Sequence, residues 1–192
     1  TDKLGSFVFM ENNKTFQDVQ GHWAQRHVES MAAKFVLDGR TKDSFVPNDS
    51  MTRAEFAKIV VLANEIDIKQ YDGTFQDVGE NDWYADYVQT AYEAGLITGR
   101  IEGVAFDPNA LISRQEMMAI IGRALDDEAQ KSPGEIISNF KDGENIADYA
   151  KEHVGLLIEK GIVGGYPDST VKPEAKITRA EAAKIIYGFY NY

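Results

Sequence analysis

Apolar residues along this 192-residue chain recur with the period of a helix. Val28, Met31, Ala32 and Phe35 stand at i, i+3, i+4 and i+7, and the spacing returns at Val88, Ala91, Tyr92 and Gly95 and at Val154, Leu157, Ile158 and Gly161. Such spacing lines one helical face. A second helical pattern follows, with Phe56, Ile59, Val60 and Ala63 in one place and Met117, Ile120, Ile121 and Ala124 in another. Nothing alternates with the period of a strand over any length, so the expected class is all-α.

The helical patterns belong to one unit present three times. Phe16-Gln17-Asp18-Val19, Phe75-Gln76-Asp77-Val78 and Phe140-Lys141-Asp142 open the copies about 60–65 residues apart. Thr52-Arg53-Ala54-Glu55, Ser113-Arg114-Gln115-Glu116 and Thr178-Arg179-Ala180-Glu181 recur with the same period. Between these markers lie Gly39, Gly99 and Gly165, then Phe45, Phe106 and Val171, then Pro47, Pro108 and Pro173, each proline six residues before its arginine. Apolar periodicity lapses near 67–74 and 126–139, where Gly, Pro, Ser and charge accumulate, and linkers are expected there. The units are therefore 1–66, 67–125 and 126–192. A two-helix unit cannot bury its apolar face alone, so the three copies are expected to pack around one shared axis as a single compact domain.

Thr52, Ser113 and Thr178, each followed three residues later by Glu55, Glu116 and Glu181, match the capping box, in which hydroxyl and carboxylate satisfy orphan backbone N–H groups at a helix start. Met51 with Phe56 and Ile112 with Met117 stand at the positions of a hydrophobic staple. Capping does not explain the arginine. Arg53, Arg114 and Arg179 sit at the first helical position, where the macrodipole disfavours a cation by about 0.3–1 kcal/mol. An arginine and free N–H groups at a helix N-terminus suit a carboxylate or phosphate. The spacing equally allows each arginine to pair with a repeat-opening aspartate of a neighbouring unit.

The other recurrent residues also have two roles open. Asp18, Asp77 and Asp142 serve either a turn or cap, or acceptance of hydrogen bonds from sugar hydroxyls. Trp23, Trp83 and Tyr149 occupy equivalent places, and packing is the preferred role for them, with their polar edges at a groove. Gly39, Gly99 and Gly165 suit helix C-caps or close approach of backbone to a ligand.

Composition removes several classes of function. Hydrophobic residues make up 43% of the chain, enough for a core, and the absence of cysteine excludes disulfide scaffolds and thiolate metal sites. No run of about 18 apolar residues exists, so no membrane insertion is expected. The N-terminus lacks the basic and apolar regions of a signal peptide, which puts any targeting segment outside this sequence. A net charge of −11 argues against nucleic acid, and it requires any anionic ligand to be held by local cations in a defined pocket. His22, His27 and His153 lack metal-ligand spacing, no Asp-x-Asp-x-Asp loop exists for Ca²⁺, and no cofactor motif or nucleophile elbow is present.

The succession Phe-x-Asp-Val, Trp-Ala or Trp-Tyr, Gly, Phe-x-Pro-Asn or its like, and Thr-Arg-Ala-Glu closely resembles the S-layer homology repeat, over about residues 14–190. The resemblance implies a helical pseudo-trimer with a central three-helix bundle and three prongs separated by grooves. It also implies a cell-surface module, not an enzyme, that anchors a protein to an anionic secondary cell-wall polysaccharide containing pyruvylated N-acetylmannosamine. A pyruvate ketal carries a carboxylate, which suits Arg53, Arg114 and Arg179, and the Asp, Trp/Tyr and Gly positions carry over as groove-lining residues. Tyr149 for tryptophan, Ser113-Arg114-Gln115-Glu116 for Thr-Arg-Ala-Glu, and Phe35 where the other repeats have Gly95 and Gly161 are departures that put equal affinity of the three grooves in doubt.

Two further readings are distinct in kind. An assembly module contacting other S-layer subunits would use the arginines for inter-repeat salt bridges and lose stability without them, whereas an anchor would fold without them and lose only its polysaccharide. A glycoside hydrolase would need a carboxylate pair about 5–9.5 Å apart, and its best candidates, Glu55, Glu116 and Glu181, are already claimed by capping.

Overall fold

The structure is a computed structural model that describes residues 12–101, 104–125 and 127–192. The N-terminal lead-in of the first unit, residues 1–11, falls outside the described residues. Seven α-helices make up the described chain: α1 Gln25–Ala33, α2 Arg53–Ala63, α3 Ala85–Glu93, α4 Arg114–Ala124, α5 Pro133–Ile137, α6 Asp148–Glu159 and α7 Arg179–Tyr190. Short 3-10 turns at Gln17–Val19 and Gly143–Asn145 precede α1 and α6. Only isolated β-bridges, such as Ser50 with Thr178, join backbone laterally among the described residues. The class is all-α, as the periodicity implies.

The second helix of each unit packs against the first helix of the next: α2 on α3, α4 on α6, and α7 back on α1, while α2 also meets α4 and α7. The faces that touch are those the spacing picked out. Val28, Met31, Val88, Ala91, Val154 and Leu157 are buried on the first helices, and Phe56, Val60, Met117 and Ile121 on the second. The last position of each first-helix set is the exception: Phe35 is exposed at 68%, and Gly95 and Gly161 are exposed as well.

All three capping boxes form. Thr52, Ser113 and Thr178 accept from the N–H of Glu55, Glu116 and Glu181, and each glutamate Oε2 takes the N–H of its cap residue. Met51 and Ile112 lie fully buried just upstream, where the staple requires an apolar side chain. A closed ring of backbone hydrogen bonds joins these entry points: Met51 N–H donates to Ile177 O at 3.2 Å, Ile177 N–H to Ile112 O at 3.3 Å, and Ile112 N–H to Met51 O at 3.0 Å. The ring places the three capped helix starts side by side.

The ends of the first helices differ from the sequence reading. The left-handed residue that ends each helix is the one after the C-cap, Phe35, Gly95 or Gly161, with φ of 61°, 71° and 71°, and not the later glycine. At each, the following N–H reaches back six residues' worth of ring, as in Val36 to Met31 O and Leu96 to Ala91 O, which is the Schellman pattern. Gly39, Gly99 and Gly165 serve packing instead: a Cβ on any of them would run into the ring of Phe16, Phe75 or Phe140 that opens the same unit. The expected linker at 126–139 also contains more structure than its composition suggested. Ser132 caps α5, whose Ile136 and Ile137 are buried and which packs along α6.

Candidate functional site

The helix that carries each recurrent arginine does not present free N–H groups. Arg53 N–H donates to Ala110 O and Ala54 N–H to Pro108 O, both in the next unit, and the same pair of bonds joins Arg114 and Gln115 to Ala175 and Pro173, and Arg179 and Ala180 to Asp49 and Pro47. With the third N–H taken by the cap hydroxyl, the helix start is saturated. What remains for a ligand is side chain.

Those prolines are held in register by the recurrent aspartates. Val46, Asp107 and Lys172, each preceding a proline, have φ of 56°, 61° and 54°, a left-handed conformation that costs an ordinary residue about 1–2 kcal/mol. Asp18 accepts from the N–H groups of Phe45 and Val46 at 2.8 and 2.7 Å, Asp77 from Phe106 and Asp107, and Asp142 from Val171 and Lys172. Desolvation raises the Asp18 pKa, but hydrogen bonds from Ser44, Phe45 and Val46 outweigh it and hold the carboxyl below its ordinary value. The three aspartates thus clamp a strained turn, and their carboxylate oxygens are engaged there.

The arginines are buried, at 6%, 7% and 5% exposure, and each crosses to the unit that follows. Arg53 Nε donates to Phe106 O at 2.9 Å and Nη1 to Glu116 Oε1 at 3.2 Å, with the guanidinium 4.8 Å from the Phe106 ring centre. Arg179 makes the corresponding bond to Phe45 O at 2.8 Å, adds one to Asp38 O at 2.6 Å, and lies 4.4 Å from the Phe45 ring. The third unit has Val171 in place of the phenylalanine. Arg114 therefore stacks on Tyr166 instead, at 5.0 Å, bonds Gly164 O at 2.9 Å, and leaves its buried Nε without a hydrogen-bond partner. Burial pushes the pKa of Arg53 down against the pull of Glu116, and burial followed by Arg40 does the same to Arg179.

Around each arginine opens a groove to which all three units contribute. Groove A joins Arg179 of the third unit, Gly39, Arg40, Glu55 and Lys58 of the first, and Trp83 of the second. Groove B joins Arg53, then Gly99, Arg100, Glu116 and Arg123, then Tyr149. Groove C joins Arg114, then Gly165, Tyr166, Glu181 and Lys184, then Trp23. Nine of the twelve residues singled out in the sequence line these grooves, and Asp18, Asp77 and Asp142 do not. The aromatic residues are not in the core: Trp23, Trp83 and Tyr149 are 56%, 58% and 50% exposed at the groove margins.

The sequence reading missed the residue after each glycine. Arg40 meets Glu55 Oε1 in an ion pair, Arg100 meets Glu116 Oε1 at 2.6 Å, and Tyr166 donates to Glu181 Oε1 at 2.6 Å. Each capping glutamate thus has one oxygen on its helix cap and the other in the groove. Burial and the bond to Glu181 push the Tyr166 phenol up to about 12, while Glu181, raised by desolvation, is brought below its ordinary value by bonds from Tyr166 and Thr178. The Gly-Arg dipeptide at 39–40 and 99–100 was the available signal.

The S-layer homology domain family matches this chain at residues 15–57, 74–118 and 139–183. The chain belongs to that family. It is 38% identical over 96% of its length to an amylopullulanase of Thermoanaerobacterium thermosulfurigenes, and 36% identical over 93% to exoglucanase XynX of Acetivibrio thermocellus. The S-layer protein sap of Bacillus anthracis is 32% identical over 90% of the chain. These matches take up 10%, 16% and 21% of the respective proteins, so this S-layer homology chain corresponds to a small part of each.

Proposed function

We propose that this chain is a surface-anchoring module that holds a larger protein to an anionic wall polysaccharide, with the carboxylate of a pyruvylated amino sugar bound in the grooves. Membership of the S-layer homology family, with S-layer proteins among the relatives, supports a location at the cell surface. The observation that carries the reading is the recurrence of one groove plan three times: a buried arginine, a glycine backbone, a capping glutamate and an exposed aromatic ring, drawn from three different units. The arginine is fixed by its carbonyl bonds, so its remaining donors meet an anion without further ordering. The ring supplies an apolar face for a sugar, and the glycine lets backbone approach it.

Catalysis is not part of this reading. The two enzymes named above match over only a tenth to a sixth of their length, and each capping glutamate is committed to a helix start. The cyclic packing of helices supports reading the module as a pseudo-trimer.

Calorimetric titration with a pyruvylated amino-sugar monosaccharide, against the same sugar without pyruvate, tests the proposal. Preference for the pyruvylated sugar is expected, and equal affinity for both removes the arginine–carboxylate argument.

The burial of the arginines between units favours a second reading in one respect, since it gives them a structural role. That role lies within one chain. An assembly module contacting other S-layer subunits would in addition associate with itself or with such subunits, and sedimentation over a range of concentrations distinguishes it.

A further inference from the structure

The three grooves share a plan and differ in charge and size. In groove A the cations Arg179, Arg40 and Lys58 stand beside Glu55 and Asp38, and Lys58 is tied to Asp38 at 2.7 Å. In groove C, Arg114 and Lys184 face Glu181, and the position of the loop arginine is held by an uncharged phenol. Groove B is lined by three arginines, Arg53, Arg100 and Arg123, against the single carboxylate of Glu116.

The third of these arginines has no counterpart. Arg123 lies on α4 where α2 has Leu62 and α7 has Gly188. Its Nη1 donates to Leu96 O at 3.0 Å, so the guanidinium is half-buried and fixed at the groove wall. Burial pushes its pKa down, yet an arginine keeps its charge at any ordinary pH. Glu116 is already shared between Arg53 and Arg100, and Arg100 also meets Asp107 at 3.6 Å, so among the described residues Arg123 is the arginine of groove B with no carboxylate in ion-pair range, inside a molecule of net charge −11. Size sets groove A apart. Groove B encloses about 330 Å³ and groove A about 120 Å³, and small-molecule sites span roughly 300–1,000 Å³. Groove C, at about 660 Å³, is roomy but has fewer cations.

We infer that groove B is the high-affinity groove for the anionic sugar and that Arg123 is its specificity-determining residue. The inference rests on the carboxylate-binding function proposed above. Arg123 adds a third guanidinium to the lining that already holds Arg53 and Arg100, so a carboxylate in the groove has one more charged donor to meet. Anions gain most there because the lining cations outnumber the lining carboxylates by the widest margin of the three grooves.

Groove B is also the groove without a tryptophan at its margin, since Trp83 belongs to A, Trp23 to C, and the chain has two tryptophans in all. Titration with the pyruvylated monosaccharide, followed in parallel by calorimetry and tryptophan emission, therefore reports which groove fills first. The tightest calorimetric phase is expected to leave emission unchanged. Arg123→Leu, which installs the residue that α2 carries at this position, should weaken that phase about tenfold and flatten its salt dependence, and Arg123→Lys should restore part of the loss. An emission change coincident with the tightest phase, or undiminished affinity in a folded Arg123→Leu chain, overturns the inference while leaving the carboxylate function standing. Failure of the unsubstituted chain to prefer the pyruvylated sugar removes the function itself.

Discussion

Arg53 at the start of α2 donates from Nη1 to Oε1 of Glu116 in α4 at 3.2 Å, with the two side chains only 7% and 9% exposed. The bond ties the first unit to the second at the one residue pair where the buried arginine meets a capping carboxylate directly. Glu116 also caps Ser113 and accepts from Arg100. Three consequences therefore converge on one carboxylate: a helix start, a contact between units and the charge of a groove.

Removing Glu116 leaves Arg53 buried without that charge partner, at a cost of about 3–5 kcal/mol, whereas removing Arg53 leaves Glu116 still paired with Arg100 and costs less. Arg53→Ala removes the bonds to Phe106 O and Glu116 and is expected to lower stability by about 1.5–3 kcal/mol, seen as a lower denaturant midpoint with an unchanged slope. The simple anchor reading, in which the three arginines are dispensable for folding, is thereby replaced by one in which they hold units together as well as facing the grooves. Retention on polysaccharide must accordingly be compared among variants whose folding has been checked by the same melt.

Asp77 accepts from the N–H groups of Phe106 and Asp107 at 2.9 and 2.7 Å, across the turn where Asp107 has a φ of 61°. Asp77→Ala should cost about 1–2 kcal/mol, the range of charge-assisted bonds discounted for exposure. The Pro108 carbonyl that this turn aims at Ala54 should loosen with it, and faster amide exchange at Ala54 would show that. In the first unit, the lowered Asp18 pKa gives the clamp a pH limit. A carboxyl whose folded pKa is depressed stabilises above its ordinary value of 3.8 and loses that contribution as pH falls through the folded value.

Histidines mark two of the three helix pairings. His27 of α1 faces α7, with the Tyr187 ring 5.0 Å away and Lys184 and Arg26 nearby, and its buried Nδ1 has no hydrogen-bond partner. His153 of α6 abuts Gly122 of α4 beside Arg123, with Glu152 opposing. Burial first and the neighbouring cations second push both pKa values below 6.5. Both rings are neutral when folded, so their contribution is full above pH 6.5 and is lost as pH falls through the depressed values. Melting midpoints are expected to drop between about pH 7 and 5, and His27→Gln with His153→Gln should flatten that slope. The α2–α3 pairing has Tyr87 at the same place and should not contribute. An unaltered slope in the double variant would assign the acid sensitivity to carboxylates.

Helix period and capping boxes made the second helix of each unit legible to the residue, because Thr-x-x-Glu before an apolar run fixes a start through short-range bonds alone. The grooves were legible only as a set of recurrent residues. Which of them meet depends on α7 returning to α1, a contact between the ends of the chain that no local pattern encodes. For the same reason Trp23, on the first helix by period, was assigned to packing, although it stands at the margin of a groove whose arginine lies in the second unit. The aspartate clamp was hidden for a different reason. Nothing about Val46, a β-branched residue before a proline, signals a left-handed φ, and the turn exists because a carboxylate from 28 residues upstream holds it. Helix α5 was obscured by its own composition, with Pro133 and Gly134 at its start and only Ile136 and Ile137 to mark it.

Phe35 offers the sharpest test of how the helix ends work. It occupies with φ 61° the position after the C-cap that Gly95 and Gly161 fill in the other units, and its ring is 68% exposed. The backbone bonds of the cap form regardless, from Phe35 N–H to Ala32 O and Val36 N–H to Met31 O. The phenylalanine thus bears the left-handed penalty of about 1–2 kcal/mol without burying its ring in return. Phe35→Gly removes the strain, offset in part by the greater freedom of glycine when unfolded, and should stabilise the chain by about 1 kcal/mol. For a domain of this size that corresponds to a rise in Tm of about 2–4 °C. Phe35→Ala keeps the Cβ clash and should gain nothing. If the two variants melt alike, the ring makes a contribution that its exposure conceals, and if both fall below the parent, the first helix end is held by Phe35 itself rather than by the backbone pattern it shares with the other two.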